Sequence, residues 1–328
     1  MVVSLFLMSV PGLQVLLASP RGFCAGVDRA IEIVERALEL YGPPVYVLHE
    51  IVHNRHVLED FRGRGVHFVE TLEDVPAGSV TIFSAHGVAE EVERRSRERQ
   101  LRAIDATCPL VTKVHQQARR YEEERRELVL IGHPGHPEIV GTQGRFHGRV
   151  HVLSTVEEVE RLEIADPSKL AYVTQTTLSV DDTRDVIAAL KRRFPRIQGP
   201  NLADICYATQ NRQNAVKALS DEIDLLLVVG SQNSSNSNRL RELGERKGVP
   251  SHLIDSDQDL DPRWLAPGMR VGLTAGASAP ESLVRRVIAR LAELGAGEVE
   301  EMEGEPENVV FSLPPELLPG APGAPRRP

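Results

Sequence analysis

The chain has 328 residues, 41% of them hydrophobic and 26% charged. That is an ordinary globular composition, and at roughly 100–200 residues per domain it predicts two or three domains. Lys and Arg number 38 against 47 Asp and Glu, a net charge of −9, which argues against non-specific binding to nucleic acid or to an anionic membrane. Aromatic residues are only 4%, with one Trp, so the core must be aliphatic.

No apolar run approaches the roughly 20 residues that cross a bilayer. Residues 1–17 are apolar, but the first basic side chain is Arg21. The segment therefore lacks the basic start of a secretory signal, and cleavage near Ala18 would leave Arg21-Gly22-Phe23-Cys24 at a raw end. The expectation is a cytoplasmic protein with a first buried strand at 15–18. The cysteines are Cys24, Cys108 and Cys206, an odd number with no Cys-x-x-Cys pair. In the cytoplasm such thiols are unbridged and buried, metal-bound or catalytic, not a disulfide framework. Their spacings, 108 − 24 = 84 and 206 − 108 = 98, point to one cysteine per structural unit.

Short apolar runs rich in β-branched residues recur at 15–19, 45–49, 80–84, 128–132, 170–174, 225–230 and 271–274. Continuous apolar runs of this length read as strands buried on both faces, the habit of parallel sheets. Amphipathic helices lie between them. Ala30, Ile33, Val34, Ala37, Leu38 and Tyr41 form one apolar stripe, and 181–193 and 279–291 read alike, the latter with Pro280 near its start. Alternating strands and helices predict an α/β fold with parallel sheets. After Gly297 the chain turns to Glu, Pro and Gly, and 314–328 reads as a disordered tail.

Ligands of such sheets sit beyond the carboxyl ends of the strands, and here those ends carry Cys, His, Ser, Thr and Asn. Three thiolates cannot close a tetrahedral zinc site unaided, but they can hold three corners of a cubane iron–sulfur cluster and leave the fourth iron open. The alternative is that each cysteine is a small buried hydrophobe. His53, His86 and His136 each follow a strand and read as metal ligands or anion donors. The other histidines read as solvated or internally hydrogen-bonded. Ser234, Ser235, Asn236 and Ser278 are neutral donors placed to bind phosphate at a helix start, or else they merely cap the helix. No Gly-x-x-x-x-Gly-Lys-Ser/Thr and no clean Gly-x-Gly-x-x-Gly occurs, so neither ATP nor a dinucleotide is indicated. Glu138 is a carboxylate in an uncharged Gly/His/Pro turn, either solvent-exposed or a proton donor near a dry site. Gln175 and Thr176 are placed to orient a substrate hydroxyl.

These residues fall into nine motifs in order: Pro-Arg-Gly-Phe-Cys-Ala-Gly-Val-Asp-Arg-Ala (20–30), His-Glu-Ile-Val-His-Asn (49–54), Phe-Ser-Ala-His-Gly-Val (83–88), Asp-Ala-Thr-Cys-Pro-Leu-Val-Thr-Lys-Val-His (105–115), Gly-His-Pro-Glu (135–138), Thr-Gln-Thr-Thr-Leu-Ser-Val-Asp-Asp-Thr (174–183), Asp-Ile-Cys-Tyr-Ala-Thr (204–209), Val-Gly-Ser-Gln-Asn-Ser-Ser-Asn-Ser-Asn-Arg-Leu (229–240) and Thr-Ala-Gly-Ala-Ser-Ala-Pro (274–280). Over about residues 13–312 the chain resembles the 4-hydroxy-3-methylbut-2-enyl diphosphate reductase family. The resemblance implies three similar lobes, each a small parallel sheet flanked by helices, arranged with pseudo-threefold symmetry around a central cluster. The lobes would span 26–108, 109–205 and 206–297, the third completed by an N-terminal strand at 13–25, with 298–328 a C-terminal segment.

The resemblance further implies one [4Fe–4S] cluster on Cys24, Cys108 and Cys206 with an open apical iron. It assigns the substrate diphosphate to His53, His86, Ser234, Ser235, Asn236 and Ser278, and the hydroxyl end to His136, Glu138 and Thr176. The implied reaction removes that hydroxyl as water by two-electron reductive dehydroxylation, giving isopentenyl and dimethylallyl diphosphates, with ferredoxin or flavodoxin as the electron donor. Two other readings stand beside it. One is a metal-free phosphosugar isomerase or transferase with incidental cysteines. The other is a non-enzymatic iron–sulfur sensor, which usually adds a basic DNA-binding module that this chain lacks.

Overall fold

The structure, a computed structural model, describes residues 10, 12–200 and 204–318. The chain forms two compact units. One joins the described residues up to Cys24 with His53–His56 and Tyr207–Asn308; the other joins Ala25–Val52, Val57–Cys206 and the described residues from Val309 on.

The first unit is built on one parallel sheet. Its strands are β1 (Leu13–Leu17), β9 (Leu225–Val229), β10 (Ser251–Ile254), β11 (Arg270–Ala275) and β12 (Ala296–Glu301), in the order β10-β9-β11-β1-β12. Alternate side chains of the central strands face opposite layers. Leu225, Leu227, Val229, Val271 and Leu273 pack on α10 (Glu281–Glu293) through Leu283, Val284, Val287 and Leu291. Leu226 and Val228 pack on α8 (Tyr207–Leu219) and α9 (Ser235–Arg246) through Val216, Leu219 and Leu240. Burial on both faces is what makes these strands unbroken apolar runs.

The second unit holds two smaller parallel sheets. One has the order β3-β2-β4-β5, from β2 (Val45–Leu48), β3 (Val66–Val69), β4 (Val80–Phe83) and β5 (Arg102–Asp105). The other has the order β7-β6-β8, from β6 (Glu127–Ile131), β7 (Val150–Leu153) and β8 (Leu170–Thr174). The helices of this unit are α1 (Ala25–Tyr41), α2 (Arg55–Gly63), α3 (Glu90–Glu98), α4 (Pro109–Glu123), α5 (Pro137–Gln143), α6 (Val156–Arg161) and α7 (Val180–Arg193), with the first residues of α2 counted in the other unit. The stripe expected from Ala30 is real, with Ala30, Ile33, Val34 and Ala37 buried, but α1 starts earlier, at Ala25. Ser179 accepts a hydrogen bond from the Asp182 amide at 3.2 Å and so caps α7, and Pro280 stands at the cap of α10.

Three small parallel sheets flanked by helices are thus present, as expected, but two of them share one compact unit. Hydrogen bonds to backbone carbonyls stitch them together. The Glu90 amide donates to the Gly144 carbonyl at 3.2 Å, and Arg145 Nε donates to the Val88 carbonyl at 2.7 Å. At Gly141 an added Cβ would stand 3.0 Å from the Gly87 carbonyl oxygen, so glycine is what allows this approach. No helix among the described residues is long and apolar enough to cross a membrane.

The segment read as a disordered tail from 314 is ordered as far as Leu318. Pro315–Leu317 make a 3-10 turn, Leu317 is fully buried, and Arg36 Nε donates to its carbonyl at 3.3 Å. One docked apolar side chain and one side-chain clasp hold a Pro-rich stretch whose composition reads as disordered. Residues 319–328 lie outside the described residues. Leu317→Ala is expected to cost about 2–4 kcal/mol of apparent stability through the cavity it leaves, read as a lower urea midpoint at unchanged slope.

Candidate functional site

Each cysteine stands immediately before a helix: Cys24 before α1, Cys108 before α4 and Cys206 before α8. Each is fixed in the same way. The Cys24 amide donates to the Ala277 carbonyl at 3.3 Å, the Cys108 amide to Ala85 at 3.0 Å, and the Cys206 amide to Thr176 at 3.1 Å. These acceptors lie two residues past the ends of β11, β4 and β8: 277 − 275, 85 − 83 and 176 − 174. In two loops a second bond leads in, from the Gly22 amide to Ala275 and from the Ala106 amide to Phe83, both at 3.1 Å. None of the three is in a disulfide, and all are half-buried. Cys24 belongs to the first unit and the other two to the second. Among the described residues no three His, Cys, Asp or Glu side chains form a group able to hold a single metal ion.

In the first unit the expected anion donors come together. Ser278, just past β11, donates its hydroxyl to the His53 carbonyl at 2.9 Å, and its Oγ lies 3.5 Å from Ser234 Oγ. His53 Nδ1 lies 3.5 Å from Asn233 Nδ2. Ser234 also caps α9, accepting from the Ser237 amide at 3.4 Å and from the Ser237 hydroxyl at 3.0 Å, so capping and ligand-donor readings of this serine coexist. Ser235 opens the helix half-buried. Asn236 differs from both. It is 5% exposed, and neither its Oδ1 nor its Nδ2 has a hydrogen-bond partner among the described residues. A buried, unsatisfied amide costs about 1–3 kcal/mol per orphaned group, a cost that a ligand hydrogen-bonding there removes.

In the second unit, His136 precedes α5 and its Nδ1 accepts from the Glu138 amide at 3.2 Å. That acceptor role puts the ring proton on Nε2. His86 and His136 meet edge to face, 5.8 Å between centroids at 87°, and Ser84 Oγ lies 3.3 Å from His86 Nδ1. Glu138 is 2% exposed, the opposite of a solvent-facing carboxylate. The Thr176 amide donates to its Oε1 at 2.6 Å and the Thr176 hydroxyl to its Oε2 at 3.0 Å. Burial pushes the carboxyl up to about 7 and nearby Asp204 adds to the rise, against the pull of the two Thr176 bonds. At neutral pH a large fraction of Glu138 therefore carries a proton, inside a site built on the loops after β6 and β8.

Sequence reasoning placed two residues differently. Gln175 spends its amide on the fold: its Oε1 accepts from the His133 amide at 3.1 Å and its Nε2 donates to Thr177 at 2.9 Å. His115 is no ordinary surface imidazole. It is 6% exposed, and burial with Arg145 nearby pushes its pKa down to about 3. Gly87 sits against it at φ +78°, where an added Cβ would stand 2.6 Å from His115 Cε1. The signal available in the sequence was its helical position, seven residues after Cys108. Histidines given the ordinary reading do behave so: His49, His147 and His151 pair with Glu70, Glu122 and Glu127, and His252 stacks on Trp264 at 3.7 Å.

Known proteins place this arrangement in a family. The model described as LytB protein matches residues 15–292. The chain is 60% identical over 301 residues to 4-hydroxy-3-methylbut-2-enyl diphosphate reductase of Bordetella pertussis, covering 92% of this chain and 93% of that one. It is 58% identical over 309 residues to the enzyme of the same name from Pseudomonas putida, with 93% and 98% covered. Among solved structures it is similar to the E-1-hydroxy-2-methyl-but-2-enyl-4-diphosphate reductase of Plasmodium falciparum, at TM-score 0.88 and 38% identity over 94% of this chain and 97% of that one. A second similar structure, titled as (E)-4-hydroxy-3-methyl-but-2-enyl diphosphate reductase, the terminal enzyme of the non-mevalonate pathway, matches at TM-score 0.62 and 31% identity over 85% and 99%. With the family model spanning most of the chain and close relatives matched nearly end to end, this chain belongs to the LytB family.

Proposed function

We propose that the chain is a 4-hydroxy-3-methylbut-2-enyl diphosphate reductase. It removes the allylic hydroxyl as water by two-electron reduction and yields isopentenyl and dimethylallyl diphosphates, working in the cytoplasm with ferredoxin or flavodoxin as electron source. The observation that carries this reading is the thrice-repeated cysteine loop, in which a thiol at a helix start is held by its own amide to a carbonyl two residues past a strand end. A helix start favours thiolate over thiol, and three unbridged, half-buried thiolates fit a [4Fe–4S] cluster as its protein ligands. When bound, such a cluster supplies electrons singly and an open iron that acts as a Lewis acid.

The chain's own residues supply the rest. Asn236, with its unsatisfied buried amide, and the hydroxyls of Ser234, Ser235 and Ser278 hold diphosphate oxygens at the start of α9, joined by His53. Neutral donors suffice there because a helix start is itself an anion site. Hydroxide is a poor leaving group, so departure as water needs a proton. Glu138 holds one near neutrality because its pocket disfavours the ionised form. Thr176 fixes both carboxyl oxygens, and His136, with its Nε2 proton, stands at the start of the helix that carries Glu138.

Anaerobic turnover of the hydroxymethylbutenyl diphosphate with a chemical reductant tests this directly. The wild-type chain is expected to convert it, and Glu138→Gln is expected to lose about 100-fold or more of kcat while binding the same amount of iron. Near-normal turnover by the variant removes Glu138 from the role, and absence of turnover by an iron-loaded wild-type chain contradicts the whole reading. Stability offers a second check. Burial raises Glu138 from 4.5 to about 7, so the folded chain keeps a proton that the unfolded chain has released between those values. Its stabilising effect is full at low pH and is lost as pH rises toward 7, on the order of 3 kcal/mol in all. Glu138→Gln, which cannot ionise, should therefore gain stability relative to wild type between about pH 5 and 7 and hold that gain above it. A difference that stays flat with pH contradicts the buried-acid assignment.

A further inference from the structure

The largest wholly buried side chain among the described residues is a cation. Arg212, in the second turn of α8, is 0% exposed. An isolated buried charge is costly, so every N–H must find an acceptor. Nε and Nη2 donate to the Gly22 carbonyl at 3.0 and 2.7 Å, and Nη2 also donates to Phe23 at 3.1 Å. Nη1 donates to the Ala208 carbonyl at 3.0 Å and to both carboxylate oxygens of Glu307 at 3.0 and 3.2 Å. Asn211 Nδ2 holds Glu307 Oε1 as well, at 3.1 Å. The carbonyls that Arg212 clasps are those of the two residues before Cys24, whereas the cysteine before its own helix is Cys206.

The same device occurs in the other unit. Arg29, in the second turn of α1, donates from Nη1 to the carbonyls of Ala106 at 3.3 Å and Thr107 at 3.1 Å, the two residues before Cys108. Its Nε donates to the Ser312 carbonyl at 2.8 Å. Here too the cysteine served is not the one before its own helix, which is Cys24. A third basic residue, Lys113, occupies the matching place in α4, and its charge acts on Asp204, two residues before Cys206. The offsets from the preceding cysteine are 29 − 24 = 5, 113 − 108 = 5 and 212 − 206 = 6.

We propose that Arg29 and Arg212 are positioning residues that clasp the loops of Cys108 and Cys24 in a crossed pattern, each serving a cysteine other than its own helix's, and that Glu307 makes the C-terminal segment part of this clasp. Both segments that lock the arginines, at Glu307 and Ser312, lie beyond residue 292, where the family match ends. A guanidinium suits the task because its planar fork reaches two successive carbonyls and a carboxylate together, which an ammonium cannot. The functional meaning rests on the proposed role of the cysteines as cluster ligands. The positioning itself can be measured without a cluster.

The test is the alkylation rate of each cysteine by iodoacetamide, followed by mass spectrometry on the full-length, cluster-free chain under native anaerobic conditions. Arg212→Lys keeps charge and bulk but loses the fork, and Glu307→Gln leaves the arginine and removes its counter-charge. Both are expected to speed Cys24 by about tenfold or more while Cys108 and Cys206 change little. Arg29→Met is expected to speed Cys108 and leave Cys24 unchanged. A variant that speeds its own helix's cysteine, all three equally or none overturns the proposal. If the crossed pattern appears in a chain that binds no iron, the positioning stands and the reductase reading falls. If iron binds and the pattern is missing, the reverse holds.

Discussion

The three cysteine loops depend on one backbone hydrogen bond made three times: a cysteine amide bound to the carbonyl two residues beyond a parallel strand. The strands are rigid because their side chains are buried on both faces, so a carbonyl just past the strand end is a fixed point. Tying the cysteine to it, and starting a helix at the next residue, sets the place of the thiol before any cofactor is present. Because the donor is each cysteine's own amide, side-chain changes elsewhere in these loops leave the bond in place, so three thiols are fixed alike on loops that differ in sequence.

Around these fixed points the chain uses burial in two opposite ways. At Glu138 burial raises the carboxyl to about 7, because the bonds from the amide and hydroxyl of Thr176 do not offset the lost hydration. At Arg212 burial is tolerated because five donors and a carboxylate leave nothing unsatisfied. The first arrangement lets a carboxyl hold its proton to higher pH than an exposed one would. The second uses a permanent charge as a rivet. Asn236 lies between these cases, its amide withdrawn from water and unmatched among the described residues.

What the sequence revealed, and what it hid, divides along burial. The seven apolar runs coincide with β1, β2, β4, β6, β8, β9 and β11, strands that are internal to their sheets or, like β8, buried along their whole length. The five strands missed, β3, β5, β7, β10 and β12, are all sheet edges. Arg102–Asp105 and Ala296–Glu301 are mostly exposed and polar, so no apolar run marks them. Of the candidate site, the local groupings were legible: the expected residues follow strand ends, Thr176 bonds Glu138, and Ser234, Ser278 and His53 gather beyond β9 and β11. Arg29, Arg212 and His115 were not legible, because a basic or imidazole group on a helix reads as a solvated face until tertiary contacts bury it. Leu317 shows the same limit: one apolar residue among prolines docks a segment whose composition reads as disordered.

The most direct measurement of the central claim is iron and acid-labile sulfide per chain, on protein purified or reconstituted without oxygen, for wild type and for Cys24→Ser, Cys108→Ser and Cys206→Ser separately. About four of each per wild-type chain are expected, with a brown absorption band, and loss of most of both in every single variant. A colourless wild-type chain after reconstitution, or a full complement of iron retained in any one of the three variants, would contradict the claim.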